Sequence, residues 1–67
     1  MTVNGEKFDF AAIAREPVVA TLIRHLGLSP ERVAVELNGE LIRRAAYATT
    51  PLSDADSLEI IHYVGGG

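Results

Sequence analysis

The residues best suited to chemistry in this chain are three consecutive glycines, Gly65, Gly66 and Gly67. Glycine has no side chain to bury and loses more backbone entropy on ordering than any other residue. We therefore expect a flexible C-terminal tail, residues 65–67, behind a folded domain of residues 1–64. The carboxylate of Gly67, with a reference pKa of about 3.3–3.7, is ionised at neutral pH and can attack a phosphate. Gly67 is thus the candidate for modification, and Gly65 and Gly66 suit a channel that any Cβ would block.

The tail alone leaves a second interpretation open, because a frayed end or the stub of a glycine linker has the same composition.

The composition of the whole chain limits the classes of protein to which it can belong. The 67 residues make one small domain, and 48% hydrophobic residues suit a folded chain. There is no cysteine, which excludes a cysteine nucleophile and thiolate metal sites. The net charge of −3 argues against nucleic-acid binding and favours docking to a basic groove on a protein. The sequence shows neither an apolar run of membrane-spanning length nor a signal-peptide pattern, so we predict no membrane association and a cytoplasmic location.

Two Asn-Gly pairs mark the turns of two predicted hairpins. Asn4-Gly5 and Asn38-Gly39 favour type I′ turns, in which both central residues take a positive φ. Alternating apolar residues predict a strand over 33–37, before the second turn, and a last strand over 58–64. One face of the last strand carries Leu58, Ile60, His62 and Val64.

The segment from Pro17 to Leu26 predicts the one main helix, because apolar residues recur there on one helical face and proline is favoured at the first helical position. Gly27 suits the left-handed residue that follows a helix. Residues 11–16 and 43–50 stay unassigned, apart from a turn of helix around Ala45 and Ala46. One helix packed across a mixed sheet of four or five strands is an α+β arrangement, the ubiquitin-like β-grasp fold.

Residues that could support catalysis or bind metal are few and scattered. His25 lies in the predicted helix and His62 in the last strand, and neither has a carboxylate or a second histidine at ligand spacing. Asp54 and Asp56 resemble the start of a calcium loop, but the later ligands are missing, so we expect a solvated turn. The sequence therefore predicts no catalytic residue and no metal site.

Ile61 and Tyr63 fall on the face of the last strand that lies opposite Leu58 and Ile60. A single helix can cover only one face of the sheet, so these side chains are candidates for an exposed apolar docking surface. The alternative is a second small apolar cluster formed with Met1 or with the phenylalanines.

From residue 33 onward the sequence resembles the thiamin sulfur-carrier proteins of the ThiS/MoaD-type ubiquitin-like group. Residues 33–39 are similar to that family's strand and hairpin, and residues 42–47 to its Val-Pro-Arg-x-x-aromatic segment. Residues 52–61 resemble its Leu-x-x-Gly-Asp-x-Val-Glu-Ile stretch, and 64–67 its tail. Two positions depart from the pattern. Arg43 replaces the usual proline, and Ala55 replaces a glycine, which predicts a positive φ at Ala55.

The resemblance implies a sulfur carrier rather than an enzyme. An ATP-dependent activating enzyme would adenylate the Gly67 carboxylate, and a persulfide donor such as a cysteine desulfurase would convert it to a thiocarboxylate. Thiazole synthase would then take the sulfur for the thiazole ring of thiamin. The chain itself would bind no cofactor, since ATP belongs to the activating enzyme. Ile61, Tyr63 and Val64 would dock the partner while Gly65 and Gly66 thread into it.

Two alternatives remain open from the sequence. A carrier of the same fold could serve molybdopterin or another thiolated product, because its tail would be chemically identical. A non-covalent β-grasp interaction module with an inert tail belongs to a different functional class.

Overall fold

A mixed five-stranded sheet is the frame of the molecule in the computed structural model, which describes residues 1–63. The order of the strands across the sheet is β2-β1-β5-β3-β4. The last strand, β5, lies in the middle, parallel to β1 and antiparallel to β3. The strands are β1 (Thr2–Val3), β2 (Glu6–Lys7), β3 (Val33–Leu37), β4 (Glu40–Ile42) and β5 (Ser57–His62).

Both predicted hairpin turns are confirmed. Asn4 and Gly5 have φ values of 53° and 80°, and Asn38 and Gly39 have 52° and 85°. Positive φ at both central residues is the type I′ geometry, whose twist matches that of the flanking strands. These turns fix the register of both hairpins, so that Val3 pairs with Glu6 in the first and Leu37 with Glu40 in the second.

The helix, α1 (Val19–His25), is shorter than the predicted segment from Pro17 to Leu26. The expectation that proline occupies the first helical position is wrong. Val18 is extended, with φ −127° and ψ 163°, and forms an isolated antiparallel bridge with Pro51. The carbonyl of Pro17 also accepts a hydrogen bond from the N–H of Leu52, at 2.7 Å. This pairing keeps residues 17–18 extended, and the helix begins only after it.

The end of α1 follows the prediction. Gly27 has φ 73°. Its N–H donates to the carbonyl of Arg24 at 3.0 Å, and the N–H of Leu28 donates to that of Ile23 at 3.1 Å. These two bonds form a Schellman motif, which satisfies carbonyls that the last turn of a helix otherwise leaves unpaired.

The core lies between α1 and one face of the sheet, which is the predicted β-grasp arrangement. Val19, Leu22 and Ile23 of the helix are buried against Leu58 and Ile60 of β5 and their neighbours. The predicted helical face is correct at its centre, whereas Leu26 at its end is 37% exposed. The buried set is Met1, Ile13, Val19, Leu22, Ile23, Val33, Val35, Tyr47, Leu52, Leu58 and Ile60.

The unassigned segments contain short 3₁₀ helices. Residues Phe10–Ile13 form one, in which the Asp9 carboxylate accepts a hydrogen bond from the N–H of Ala11 and Ile13 is buried. Residues Arg44–Ala46 form another, which confirms the turn of helix expected around Ala45 and Ala46. A third, Pro30–Arg32, connects α1 to β3.

The turn before β5 differs from the expectation for Ala55. Asn4 and Asn38 are the non-glycine residues with positive φ among residues 1–63, so Ala55 does not have the glycine-like conformation predicted for it. The N–H of Asp56 donates to the carbonyl of Ser53 at 3.1 Å, and a carboxylate oxygen of Asp56 accepts from the N–H of Ser53 at 2.8 Å. Asp56 thus closes the turn without a left-handed residue inside it.

Candidate functional site

Two turn asparagines hold β5, the strand that leads to the tail. The side-chain oxygen of Asn4 accepts from the N–H of Ile60 at 2.7 Å, and its amide donates to the carbonyl of Ile60 at 3.2 Å. From the other hairpin, the Asn38 side-chain oxygen accepts from the N–H of Ser57 at 2.9 Å, and its amide donates to the Asp56 carboxylate at 3.0 Å. The side chains of both turns therefore fix the position of the strand before the tail.

Two ionisable groups near these anchors have shifted pKa values. The hydrogen bond from the Asn38 amide lowers the pKa of Asp56, and the hydrogen bonds from Ser53 lower it further. Burial raises the pKa of the Tyr47 hydroxyl, which donates to the carbonyl of Val33 at 3.2 Å. The hydrogen bonds of both groups join separate segments of the chain and thus stabilise the fold.

The predicted modification and threading residues, Gly65 to Gly67, lie outside the described residues, as does Val64. The last backbone hydrogen bond before them is donated by the N–H of Tyr63 to the carbonyl of Arg32, at 2.8 Å. Four residues span at most about 14 Å when fully extended, which limits how far the Gly67 carboxylate can lie from Tyr63. Any enzyme that acts on that carboxylate must therefore come within about 14 Å of Tyr63.

The face of the sheet opposite α1 is exposed at Ile61 and Tyr63, as predicted. Ile61 is 55% exposed and Tyr63 is 52% exposed. The alternative, a second apolar cluster with Met1 or the phenylalanines, is wrong. Met1 is part of the main core, and Phe8 and Phe10 pack against it.

A third apolar side chain on this face, Leu41 of β4, was not singled out from the sequence. Leu41 is 66% exposed and pairs with Glu36 of β3, which pairs in turn with Glu59 of β5. Antiparallel partners lie on the same face of a sheet, so Leu41 lies on the face of Glu59 and Ile61. The signal was available, because a two-residue turn at Asn38-Gly39 requires this register. Hereafter the docking face means Ala34, Glu36, Leu41, Glu59, Ile61 and Tyr63.

The histidines and acidic residues considered from the sequence do not come together. The ring of His25 contacts that of Phe8 edge-on, with centroids 5.5 Å apart, and His62 is exposed at the end of β5. The Asp54 carboxylate accepts from the amino group of Met1 at 2.9 Å. Within residues 1–63, no three side chains are grouped to hold a metal ion, and no helix is long and apolar enough to cross a membrane.

Comparison with known proteins identifies relatives along the whole chain. The model of the ThiS family matches residues 1–67. The sulfur carrier protein ThiS of Bacillus subtilis is 39% identical over 49 residues, which are 73% of this chain and 74% of that protein. The crystal structure of the thiamine biosynthesis protein ThiS from Geobacter metallireducens is similar with a TM-score of 0.74 and 38% identity, covering 98% of this chain and 96% of the other.

Longer proteins also contain a matching segment. A thiazole synthase of Paramagnetospirillum magneticum is 37% identical over 67 residues, which are 100% of this chain but 20% of that protein. The chain thus spans about one fifth of the length of the thiazole synthases that it matches.

Proposed function

Because the chain belongs to the ThiS family, we propose that it is a sulfur carrier for the thiazole ring of thiamin, loaded as a thiocarboxylate at Gly67. Its likeness to a protein named sulfur carrier and to a structure named for thiamine biosynthesis supports this proposal. The observation that carries it is the position of Tyr63. This residue continues the central strand at an exposed face, directly before Val64 and the three glycines.

The chemistry of a C-terminal carboxylate explains why a partner must activate it. A carboxylate resists attack by sulfur because an oxygen dianion is a poor leaving group. In the proposed first step a carboxylate oxygen of Gly67 attacks the α-phosphorus of ATP, and pyrophosphate leaves. The terminal sulfur of a persulfide then attacks the acyl carbon, and AMP leaves. A second thiol cleaves the remaining S–S bond, which supplies two electrons and releases the thiocarboxylate.

The division of roles between this chain and its partners follows from that sequence of steps. The chain supplies the nucleophilic carboxylate and the surface that brings it into place, whereas ATP is bound by an adenylating enzyme. We assign Gly65 and Gly66 to threading, because a glycine adds no Cβ to the width of an extended chain. Ile61, Tyr63 and Val64 are assigned to docking that enzyme.

A thiazole synthase is the proposed acceptor of the sulfur. Proteins named thiazole synthase contain a segment 37% and 41% identical to this chain within a longer polypeptide. Joining a carrier and its acceptor in one chain raises their effective concentration, which is an advantage only if the two parts meet during the reaction. This observation favours the thiamin pathway over molybdopterin.

Intact mass spectrometry tests the proposal. The chain is incubated with a thiamin-pathway adenylating enzyme, ATP and a persulfide-carrying cysteine desulfurase. The proposal predicts a mass increase equal to the exchange of one oxygen for sulfur, located at Gly67. The variant that lacks Gly67 is the control, and it should fold normally and gain no sulfur. Equal sulfur loading of that variant would show that Gly67 is not the loaded residue.

A further inference from the structure

Two carboxylates lie side by side on the docking face. Glu36 of β3 and Glu59 of β5 are directly opposite each other in the antiparallel register. The Cβ atoms of such a pair are about 4.5–5.5 Å apart, and like charges at this spacing destabilise a sheet. The free domain therefore carries two like charges side by side at the middle of its sheet.

The described part of the chain does not compensate this charge. The ion pairs within residues 1–63 are those of Met1 with Asp54 and of Arg24 with Glu16, and neither includes Glu36 or Glu59. Two exposed apolar side chains of the docking face adjoin the glutamates. Leu41 pairs with Glu36 on one side, and Ile61 follows Glu59 on the strand and pairs with Ala34. In the free protein the two carboxylates are therefore hydrated and form no ion pair within the described residues.

Docking would remove that water. Glu36 pairs with Leu41, and Glu59 precedes Ile61 on the same face of β5, so a partner that covers Leu41 and Ile61 also contacts the two glutamates. Burial of a carboxylate without a counter-charge is costly, whereas a hydrogen-bonded pair with a cation offsets much of the cost. An arginine fits best, because its planar guanidinium presents five N–H donors and can serve both carboxylates.

We propose that the docking face binds an apolar surface of the adenylating enzyme that presents one basic side chain, best an arginine, to Glu36 and Glu59. This inference rests on the proposed function, and it adds the chemistry by which the partner is recognised. The face and the tail point to the same occupant. Tyr63 belongs to the face, and four residues separate it from Gly67 by at most about 14 Å, so a protein that receives the tail is brought close to the face.

The proposal predicts opposite effects of the glutamate variants on folding and on binding, whereas a purely structural role of the glutamates would leave binding unchanged. Glu36→Gln and Glu59→Gln each remove the repulsion, so the melting temperature should rise by about 1–5 °C. The same variants should bind the enzyme at least tenfold more weakly at low salt. Their affinity should also depend less on salt than that of the unmodified chain, because one ion pair is missing.

Glu40→Gln is the matched control. Glu40 lies on β4 next to Leu41, but it pairs with Leu37 and therefore lies on the opposite face of the sheet. Glu40→Gln changes the net charge of the chain by the same amount as Glu36→Gln or Glu59→Gln. Long-range electrostatic attraction to the enzyme should therefore weaken equally in all three variants. The affinity of Glu40→Gln should stay within about twofold of the unmodified chain.

The experiment measures the affinity of the four proteins for the adenylating enzyme of the same organism at low and high salt, together with ATP-dependent pyrophosphate release. Weaker binding of the two face variants, with raised melting temperatures, is the expected result. If the unmodified chain triggers pyrophosphate release and the face variants bind as tightly as Glu40→Gln, the proposal on the docking face is overturned and the proposed function stands. If the unmodified chain neither binds nor triggers release, the proposed function fails and this inference fails with it.

Discussion

Ile60 and Ile61 are adjacent residues of β5 that should respond oppositely to truncation. Ile60 is 7% exposed and faces the core, whereas Ile61 is 55% exposed on the docking face. Ile60→Ala removes a buried side chain and should lower the free energy of unfolding by about 2–4 kcal/mol. Ile61→Ala loses only partial burial and some strand preference, together about 1 kcal/mol or less. In a domain of this size the melting temperature should fall by about 8–30 °C for the first and by about 8 °C or less for the second.

Binding to the adenylating enzyme should show the reverse order. Full burial of an isoleucine is worth about 1.5–3 kcal/mol, and roughly half of the Ile61 surface remains for the partner to cover. Alanine keeps the contact made by its Cβ, so Ile61→Ala should lose about 1 kcal/mol of binding free energy, which is about fivefold in Kd. Ile60→Ala, measured at a temperature where it is folded, should bind within about twofold of the unmodified chain.

Calorimetric melting and titration of the two variants against the enzyme test this pair of expectations. A melting temperature that falls as far for Ile61→Ala as for Ile60→Ala would place Ile61 in the core. An unchanged Kd for Ile61→Ala would remove it from the docking face.

Three further predictions concern the tail and the turn before β5. Gly66→Ala should slow pyrophosphate release at least tenfold with an unchanged melting temperature, because a Cβ obstructs a narrow channel; normal kinetics would argue against threading. The folded-state pKa of Asp56 lies below its unfolded value of 3.8, so its contribution to stability is complete above that value and is lost as the pH falls below it. In denaturant unfolding, the free energy of unfolding of Asp56→Asn should thus fall less steeply at acid pH than that of the unmodified chain. An equally steep fall would show that Asp56 does not contribute to the acid sensitivity of the fold. Ala55→Gly should lower the free energy of unfolding by about 0.5–1 kcal/mol, because Ala55 lacks a positive φ and glycine adds unfolded-state entropy; a higher denaturant midpoint would contradict this.

Local signals in the sequence were enough for much of the fold. The Asn-Gly pairs identified both type I′ turns, because few residues tolerate positive φ, and the alternation of Val33, Val35 and Leu37 gave the bounds of β3. The alternation in the last strand also made Ile61 and Tyr63 candidates for an exposed surface, since a single helix covers one face of a sheet, and the structure decided against a second apolar cluster.

Features that depend on contacts between residues distant in sequence could not be predicted from local patterns. Residues 17 and 18 are extended because they pair with residues 51 and 52, and no local pattern announces that pairing. Asn4 binds the backbone of Ile60 through its side chain, across 56 positions of sequence. The positive φ predicted at Ala55 from the family's glycine is wrong, because the Asp56 carboxylate closes this turn without a left-handed residue.

The most direct test of the central claim is the intact mass of the chain after incubation with the adenylating enzyme, ATP and the persulfide donor. Replacement of one oxygen by sulfur, retained on the C-terminal peptide and lost on incubation with thiazole synthase and its other substrates, is the result that a thiamin sulfur carrier requires. A mass that stays unchanged while an established ThiS protein is loaded in the same mixture would contradict the claim.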